Sequence, residues 1–316
     1  MPIVFITGAT GFIGRALCAK MLENGWKVKG TFQKESEINT LPVGVEGVHL
    51  NAIESDNFND SDFAEVDTVI HLAARVHIMS DSTVGSPDAF RKVNVLGTER
   101  LARMAAKAEV KRFIFISSVK VNGEGDLKPY NENDIPKPQD AYGISKMEAE
   151  QVLASVVAET GLQMVILRLP LVYGQGVKAN FKNLIKIAGS GLPLPFKNIS
   201  NRRSFIYLGN LVDAIITCVT HQLAAGETFM VSDGQDVSTP DLIKMIASAM
   251  NKKLLLFSLH PNILKALCKI AGKGKEVEKL TGTLIVDSNK IRNLLGWKPP
   301  FSLEEGIKET VKHYKS

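Results

Sequence analysis

Along the first half of the chain, short apolar runs alternate with longer stretches of helical period. Pro2–Thr7 is one such run, and Gly8–Gly14 separates it from an amphipathic stretch reaching about Asn24. Trp26–Phe32, Val45–Leu50, Val66–Leu72, Lys111–Ile116 and Gln163–Leu169 read as further strands, with Val66–Leu72 of the buried kind. Pro87–Ala108 and Gln139–Glu159 carry the helical period between them. Strands separated by helix-length segments predict right-handed crossovers and an α/β, doubly wound, mostly parallel sheet of the Rossmann type. An antiparallel α+β arrangement fits this alternation poorly.

The regularity weakens after Pro170. Val172–Gly176 and Ser190–Asn201 are rich in Gly, Pro and Asn and read as loops. Helical segments are expected near Asn210–His221, Thr239–Met250, Asp287–Leu295 and Leu303–His313. The division predicted is a Rossmann domain over residues 1–174 and a smaller α/β lobe over 175–316, with parts of 203–235 returning to the first domain.

Composition narrows the class. The chain has 316 residues, 45% hydrophobic and 22% charged, enough for one large domain or two interleaved ones. No stretch approaches the roughly 18 apolar residues of a membrane span, and Met1–Phe5 lacks a basic leader and reads as a first strand. Cys18, Cys218 and Cys268 are odd in number and far apart, which argues against a disulfide framework and for a reducing, cytoplasmic setting. Without a Cys-x-x-Cys pair or clustered His, no metal is expected. A net charge of +5 suits anionic small molecules and does not indicate nucleic acid. Lys273, Lys275 and Lys279 beside Ile263–Ala271 read as the solvated face of a packing helix, in preference to a membrane-surface helix.

Gly8, Gly11 and Gly14 recur at three-residue spacing between a strand and a helix. Glycine permits the tight turn and lets backbone N–H groups approach a pyrophosphate, so residues 8–14, with Phe12 and Ile13, are the expected dinucleotide site. An acid ending the second strand would bind the adenosine ribose of NAD. Here Gln33 and Lys34 follow Phe32, and no acid appears before Glu35. Arg15 and Lys34 can pair with a 2′-phosphate or stand as plain surface charge. The balance favours NADP(H), with NAD(H) possible.

Tyr142 and Lys146 are four residues apart on a predicted helix, so they share a face. There the ammonium is expected to stabilise a phenolate and lower a pKa that starts at about 10, giving an acid/base usable near neutral pH. Ser118 lies at the end of the strand before that helix.

Together these residues resemble the extended short-chain dehydrogenase/reductases, in the nucleotide-sugar branch related to UDP-galactose 4-epimerase. Further segments carry the similarity across nearly the whole chain: His71-Leu72-Ala73-Ala74, Val93–Thr98, Ser117-Ser118, Leu167–Pro170, Val172-Tyr173-Gly174, Arg203–Tyr207 and Leu295–Pro299. The resemblance implies that Ser118 holds the reacting oxygen, Tyr142 transfers its proton, and Lys146 grips the nicotinamide ribose. It also implies that Asn94 supports the site, that Ala73 and Ala74 line the cofactor, and that Asn51 falls near an adenine contact. In the second lobe it implies nucleotide-sugar contacts from Asn180 and diphosphate contacts from Arg203, with Arg202 adjacent. The family's second diphosphate arginine is not recognisable in Thr281–Leu284, and Ser204 stands where Asp is common.

Within that family, 4,6-dehydratases carry Asp-Glu directly after the catalytic Ser/Thr, whereas this chain has Val119 and Lys120. The expected activity is therefore reduction of the C4 ketone of a UDP-4-keto-6-deoxy-N-acetylhexosamine with NAD(P)H, as in bacterial surface polysaccharide synthesis. The segment Ser118–Gly123 resembles the UDP-N-acetylquinovosamine-forming 4-ketoreductases, and Lys120 is a candidate substrate contact. The alternative is 4-epimerisation of a UDP-hexose or UDP-N-acetylhexosamine with tightly bound NAD. A non-catalytic NADP sensor is a remote third, since such relatives generally lack the Tyr and Lys. A homodimer through Pro87–Ala108 and Gln139–Glu159 is implied by the family.

Overall fold

Alternate residues of the central strands face opposite ways, and both ways are apolar. In β1 (Ile3–Thr7), Val4 and Ile6 join one core cluster while Ile3 and Phe5 join another. In β5 (Arg112–Ser118), Ile114 and Ile116 separate from Phe113 and Phe115 in the same way. Each aromatic ring so buried contributes about 2–3 kcal/mol of transfer free energy. Such two-sided burial requires helices on both faces. One face is covered by α1 (Phe12–Glu23), and the other by α3 (Gly97–Lys107) and α4 (Ala141–Thr160), two elements after the short helix α2 (Pro87–Arg91).

The computed structural model describes residues 1–54, 58–76, 86–260, 263, 274 and 280–314. Cys268, the cluster Lys273, Lys275 and Lys279, and the adjoining apolar segment other than Ile263 lie outside the described residues. Cys18 and Cys218 are free and buried.

The remaining strands of the main sheet are β2 (Lys27–Phe32), β3 (Val45–His49), β4 (Thr68–His71), β6 (Gln163–Leu169) and β9 (Thr228–Met230). The sheet has seven strands in the order β3-β2-β1-β4-β5-β6-β9, and every neighbouring pair is parallel. The chain runs outward from β1 to β3, then crosses back to place β4 on the other side of β1. That reversal opens a crevice at the carboxyl ends of β1 and β4, the place where such sheets bind ligands.

Three features depart from the periodicity. The expected helix 87–108 is broken, because Lys92–Leu96 form a π-turn between α2 and α3. The extra residue per turn buries Asn94 and Val95 together and turns the Asn94 amide inward. Leu171–Tyr173, expected as part of a loop, is a strand (β7) paired in parallel with β8 (Phe205–Tyr207). Its pairing partner is over thirty residues distant in sequence, so local glycine content concealed it. Ala179–Gly189 forms a helix (α5) that the loop-like flanks hid.

The second half also contains α6 (Leu208–Thr220), α7 (Thr239–Ala249), α8 (Asn289–Leu295) and α9 (Leu303–Val311). α6 packs into the main core, while Phe181, Ile185, Phe205, Ile243 and Ile307 form a separate cluster. Among the described residues, no helix is long and apolar enough to cross a membrane, and no group of three or more His, Cys, Asp or Glu is arranged to hold a metal.

Candidate active site

The turn after β1 is built on close backbone approach. Gly8 has φ +69°, and a Cβ there would lie 2.9 Å from Ala73 N. A Cβ on Gly14 would fall 2.2 Å from Gly8 O. The loop therefore lies against the end of β4, at the crevice. Gly11 caps α1 without any side-chain bond, and no acid occupies the first turn, so the helix end can receive an anionic pyrophosphate. This cradle, which a side chain would fill, fits a dinucleotide. Ala73 and Ala74 follow β4 beside it, half-buried, as are Phe12 and Ile13.

Arg15, Lys34 and Asn51 are exposed. Beside Lys34 the structure places an acid that sequence position obscured. The turn Glu35–Thr40 folds Glu37 back, and its carboxylate accepts from Gln33 N at 3.0 Å and Lys34 N at 3.4 Å. The end of β2 thus carries Lys34 and a carboxylate, with Arg15 on α1.

Ser118, at the end of β5, neighbours Tyr142, in the first turn of α4, and acts to lower its pKa. Phe90 of α2 meets the Tyr142 ring edge-on, with centroids 6.5 Å apart. Lys146 is buried one turn along, and its Nζ donates to Ile116 O at 2.7 Å over the face of Phe115. The electrostatics differ from expectation. Burial pushes the Tyr142 phenol up to about 12, Asp140 adds to this, and Ser118 only partly opposes it. Burial lowers the Lys146 ammonium to about 7, against the pull of Glu150. The protein's own groups hold Tyr142 protonated: burial and Asp140 outweigh Ser118, and the expected lowering by Lys146 is not among their effects.

A directional hydrogen-bond chain supports these residues. Asn94 Nδ2 donates to Ser145 Oγ at 2.9 Å and to Arg75 O at 3.0 Å, and its Oδ1 accepts from Arg75 N at 2.7 Å. Ser145 Oγ donates to Tyr142 O at 2.8 Å. Asn94 therefore ties the segment after β4 to the Tyr142 helix. Beneath it, Thr98 Oγ1 donates to Asn94 O at 2.7 Å and must accept from His71 Nε2 at 2.9 Å. His71 Nδ1 then accepts from Thr7 Oγ1 at 2.7 Å. Burial, reinforced by Lys146, holds this imidazole neutral by lowering its pKa well below the usual histidine value.

Glu150, one turn beyond Lys146, accepts from Ser117 Oγ at 2.5 Å and from Arg168 Nε and Nη2 at 3.1 and 2.6 Å. Arg168 Nη1 also donates to Asn122 Oδ1 at 3.2 Å. This pair locks β6 to α4 under the site. Lys120 reaches two carboxylates, Asp140 and, at 2.8 Å, Glu124. Asp140, Glu124 and Glu150 were not singled out from sequence, although an Asp two residues before the Tyr is a helix-cap signal and Glu150 stands four residues after Lys146.

In the second lobe, Arg203 pairs by backbone with Val237 and Leu284, and its Nη1 donates to Gly282 O at 3.1 Å. The segment Thr281–Leu284 thus lies beside it. Burial lowers the Arg203 guanidinium, and Glu124 opposes the change. Arg202 points to Asp236 at 3.1 Å and is largely exposed. The same Asp236 accepts from Ser204 Oγ at 2.5 Å. Asn180 lies on the first turn of α5, with its side chain outside the described residues.

Comparisons with known proteins agree with this architecture. The model of the NAD dependent epimerase/dehydratase family matches residues 4–232. A Vibrio cholerae protein named UDP-glucose 4-epimerase is 39% identical, over 98% of this chain and 95% of its own. A Methanocaldococcus jannaschii protein, a putative UDP-glucose 4-epimerase, is 28% identical over 99% of each. The crystal structure of UDP-glucose 4-epimerase with UDP-glucose from Thermotoga maritima superposes with a TM-score of 0.78 at 26% identity, covering 99% of this chain and 98% of that one. With the glycine cradle at the strand crossover and the serine, tyrosine and lysine brought together at the end of β5, the chain belongs to the NAD-dependent epimerase/dehydratase family.

Proposed function

We propose that this protein is an oxidoreductase acting at C4 of a UDP-sugar, and that its reaction is reduction of a UDP-4-keto-6-deoxy-N-acetylhexosamine. The observation that carries this reading is Tyr142, a protonated phenol in the first turn of α4 beside Ser118 at the end of β5, with Lys146 buried one turn further along. Reduction of a ketone consumes one hydride and one proton. The dinucleotide supplies the hydride when bound. Tyr142 donates the proton to the forming alkoxide, and Ser118 hydrogen-bonds the same oxygen. Lys146 would hold the nicotinamide ribose, and Arg203, with Asn180, would receive the diphosphate and sugar. The fit of the glycine loop supports a dinucleotide. Arg15 and Lys34 favour NADP(H), whereas Glu37 at the end of β2 favours NAD(H). Two exposed cations against one carboxylate already bonded to two N–H groups keep NADP(H) as our assignment.

A second reading is 4-epimerisation with tightly bound NAD, favoured by the full-length similarity to proteins named UDP-glucose 4-epimerase. Dehydration is disfavoured because Lys120 occupies the position of a dehydratase acid and is engaged by two carboxylates. Identifying the nucleotide released on denaturing the fresh protein decides between the first two. Near-stoichiometric NAD supports the epimerase. An empty protein, or one releasing NADP, supports the reductase, which then oxidises NADPH when given a UDP-4-keto sugar. Binding of neither dinucleotide sinks both.

We also assign the protein to the cytoplasm and to a homodimer formed through α3 and α4, whose outer sides are linked by Arg103–Glu159 and, from α2, Arg91–Glu148. A light-scattering mass near 34.5 kDa, that of one chain, rejects the dimer.

A further inference from the structure

The turn after Ser118 (Val119–Val121) is closed on Ser118 by Lys120 and stitched to the Tyr142 helix at two points, both through Lys120. Its N–H donates to Ser118 Oγ at 3.2 Å. Its carbonyl lies 2.8 Å from where a Cβ on Gly143 would stand, so only glycine lets the first turn of α4 sit this close. Its ammonium is bound by Asp140 and, at 2.8 Å, by Glu124. Asp140 in turn caps α4, with Oδ1 accepting from Gly143 N at 2.7 Å. The carboxylate that starts the helix is thus two residues from the phenol and held by a lysine two residues from the serine.

We propose that Lys120 is a positioning residue of the active site: clamped between Asp140 and Glu124, it fixes the Ser118 turn to the Tyr142 helix and neutralises the carboxylate beside Tyr142. Asp140 works to keep the Tyr142 proton in place, which makes the phenol a weaker acid. A cation on Asp140 offsets that field. The other charged groups around this cluster do not substitute for it. Arg203 acts on Glu124 from the second lobe, and Lys146 is drawn towards Glu150. Burial works to discharge Lys120, but the Asp140 and Glu124 carboxylates outweigh it and keep the ammonium protonated above the usual lysine range. Moving Lys120 onto a substrate phosphate would strip both carboxylates of this partner next to an incoming anion, an arrangement that like-charge repulsion disfavours.

The mechanistic weight of this inference rests on Tyr142 being the proton donor, so its test does not depend on turnover. The protein is labelled with fluorotyrosine, whose phenol is more acidic, and the Tyr142 resonance is assigned by its loss in Tyr142→Phe. Its fluorine NMR titration is then followed in the wild type, Lys120→Met, Lys120→Arg, Asp140→Asn and the Lys120→Met/Asp140→Asn double variant. Asparagine retains the helix cap. Lys120→Met is expected to raise the Tyr142 midpoint by about half a pH unit or more, and Lys120→Arg to leave it near the wild type. Asp140→Asn lowers it alone and reverses the rise in the double variant. A midpoint unmoved by Lys120→Met and by Asp140→Asn overturns the proposal. So does a Lys120→Met protein that changes only KM for the UDP-4-keto sugar and is not restored by Asp140→Asn, because that assigns Lys120 to substrate. A wild type that converts no UDP-sugar refutes the proposed function, while the titration still decides the role of Lys120.

Discussion

The Lys146 ammonium donates to the carbonyl of Ile116 at 2.7 Å and lies 4.4 Å from the centre of the Phe115 ring. It is a buried cation whose partners are a backbone oxygen and an aromatic face, and burial lowers it to about 7. A group lowered on folding is a stability cost below its folded pKa, relieved as pH rises from about 7 towards 10.5. Lys146→Met is therefore expected to stabilise the protein in acid and to lose that advantage in alkali, as followed by urea unfolding across the range. The same titration should appear in catalysis. The kcat/KM for the dinucleotide falls as pH rises through about 7, because the charged form grips the ribose. A flat profile across neutrality would remove Lys146 from that role.

Tyr142→Phe keeps the ring against Phe90 and removes only the hydroxyl. Under the proposed reaction, kcat drops by roughly 10²–10⁴ while dinucleotide affinity is held within a few-fold. Fluorescence titration of the dinucleotide beside initial rates separates the two effects. Full activity in this variant would sink the mechanism.

Glu150 and Arg168 form a buried bidentate pair that also satisfies Ser117 and Asn122. Glu150→Ala leaves the guanidinium buried without its carboxylate and is expected to cost about 3–5 kcal/mol. Replacing both partners with apolar residues should cost less than Glu150→Ala alone. Denaturant unfolding of the singles and the double, read as a cycle, checks this.

Thr98→Val deletes the hydroxyl that accepts from His71 Nε2 and donates to Asn94 O. The stranded imidazole N–H should cost about 1–3 kcal/mol. Because the His71 tautomer is set by this bond, nitrogen-edited NMR of the imidazole reports it directly. The wild type should show the proton on Nε2, and a proton on Nδ1 instead would contradict the chain drawn from Thr7 to Asn94.

Much of this protein was legible without its coordinates. Parallel strands declared themselves because a strand buried on both faces must be apolar throughout, as Val69-Ile70 and Phe113–Ile116 are. The positions of Gly8 and Gly14 follow from backbone approach that no side chain permits, and Tyr142 and Lys146 share a face by helical geometry alone. Spacing of this kind is a local property, so sequence determines it. Contacts between distant segments were decided only by the tertiary structure. The pairing of β7 with β8, the π-turn that turns Asn94 inward, and the return of Glu37 to the end of β2 all depend on partners that local pattern does not specify. The same holds for electrostatics. Sequence set Lys146 beside Tyr142, but how far each is buried, and that Asp140 and Lys120 meet there, depends on what the fold packs around them. Desolvation is a property of the surroundings, and those exist only once the chain has closed.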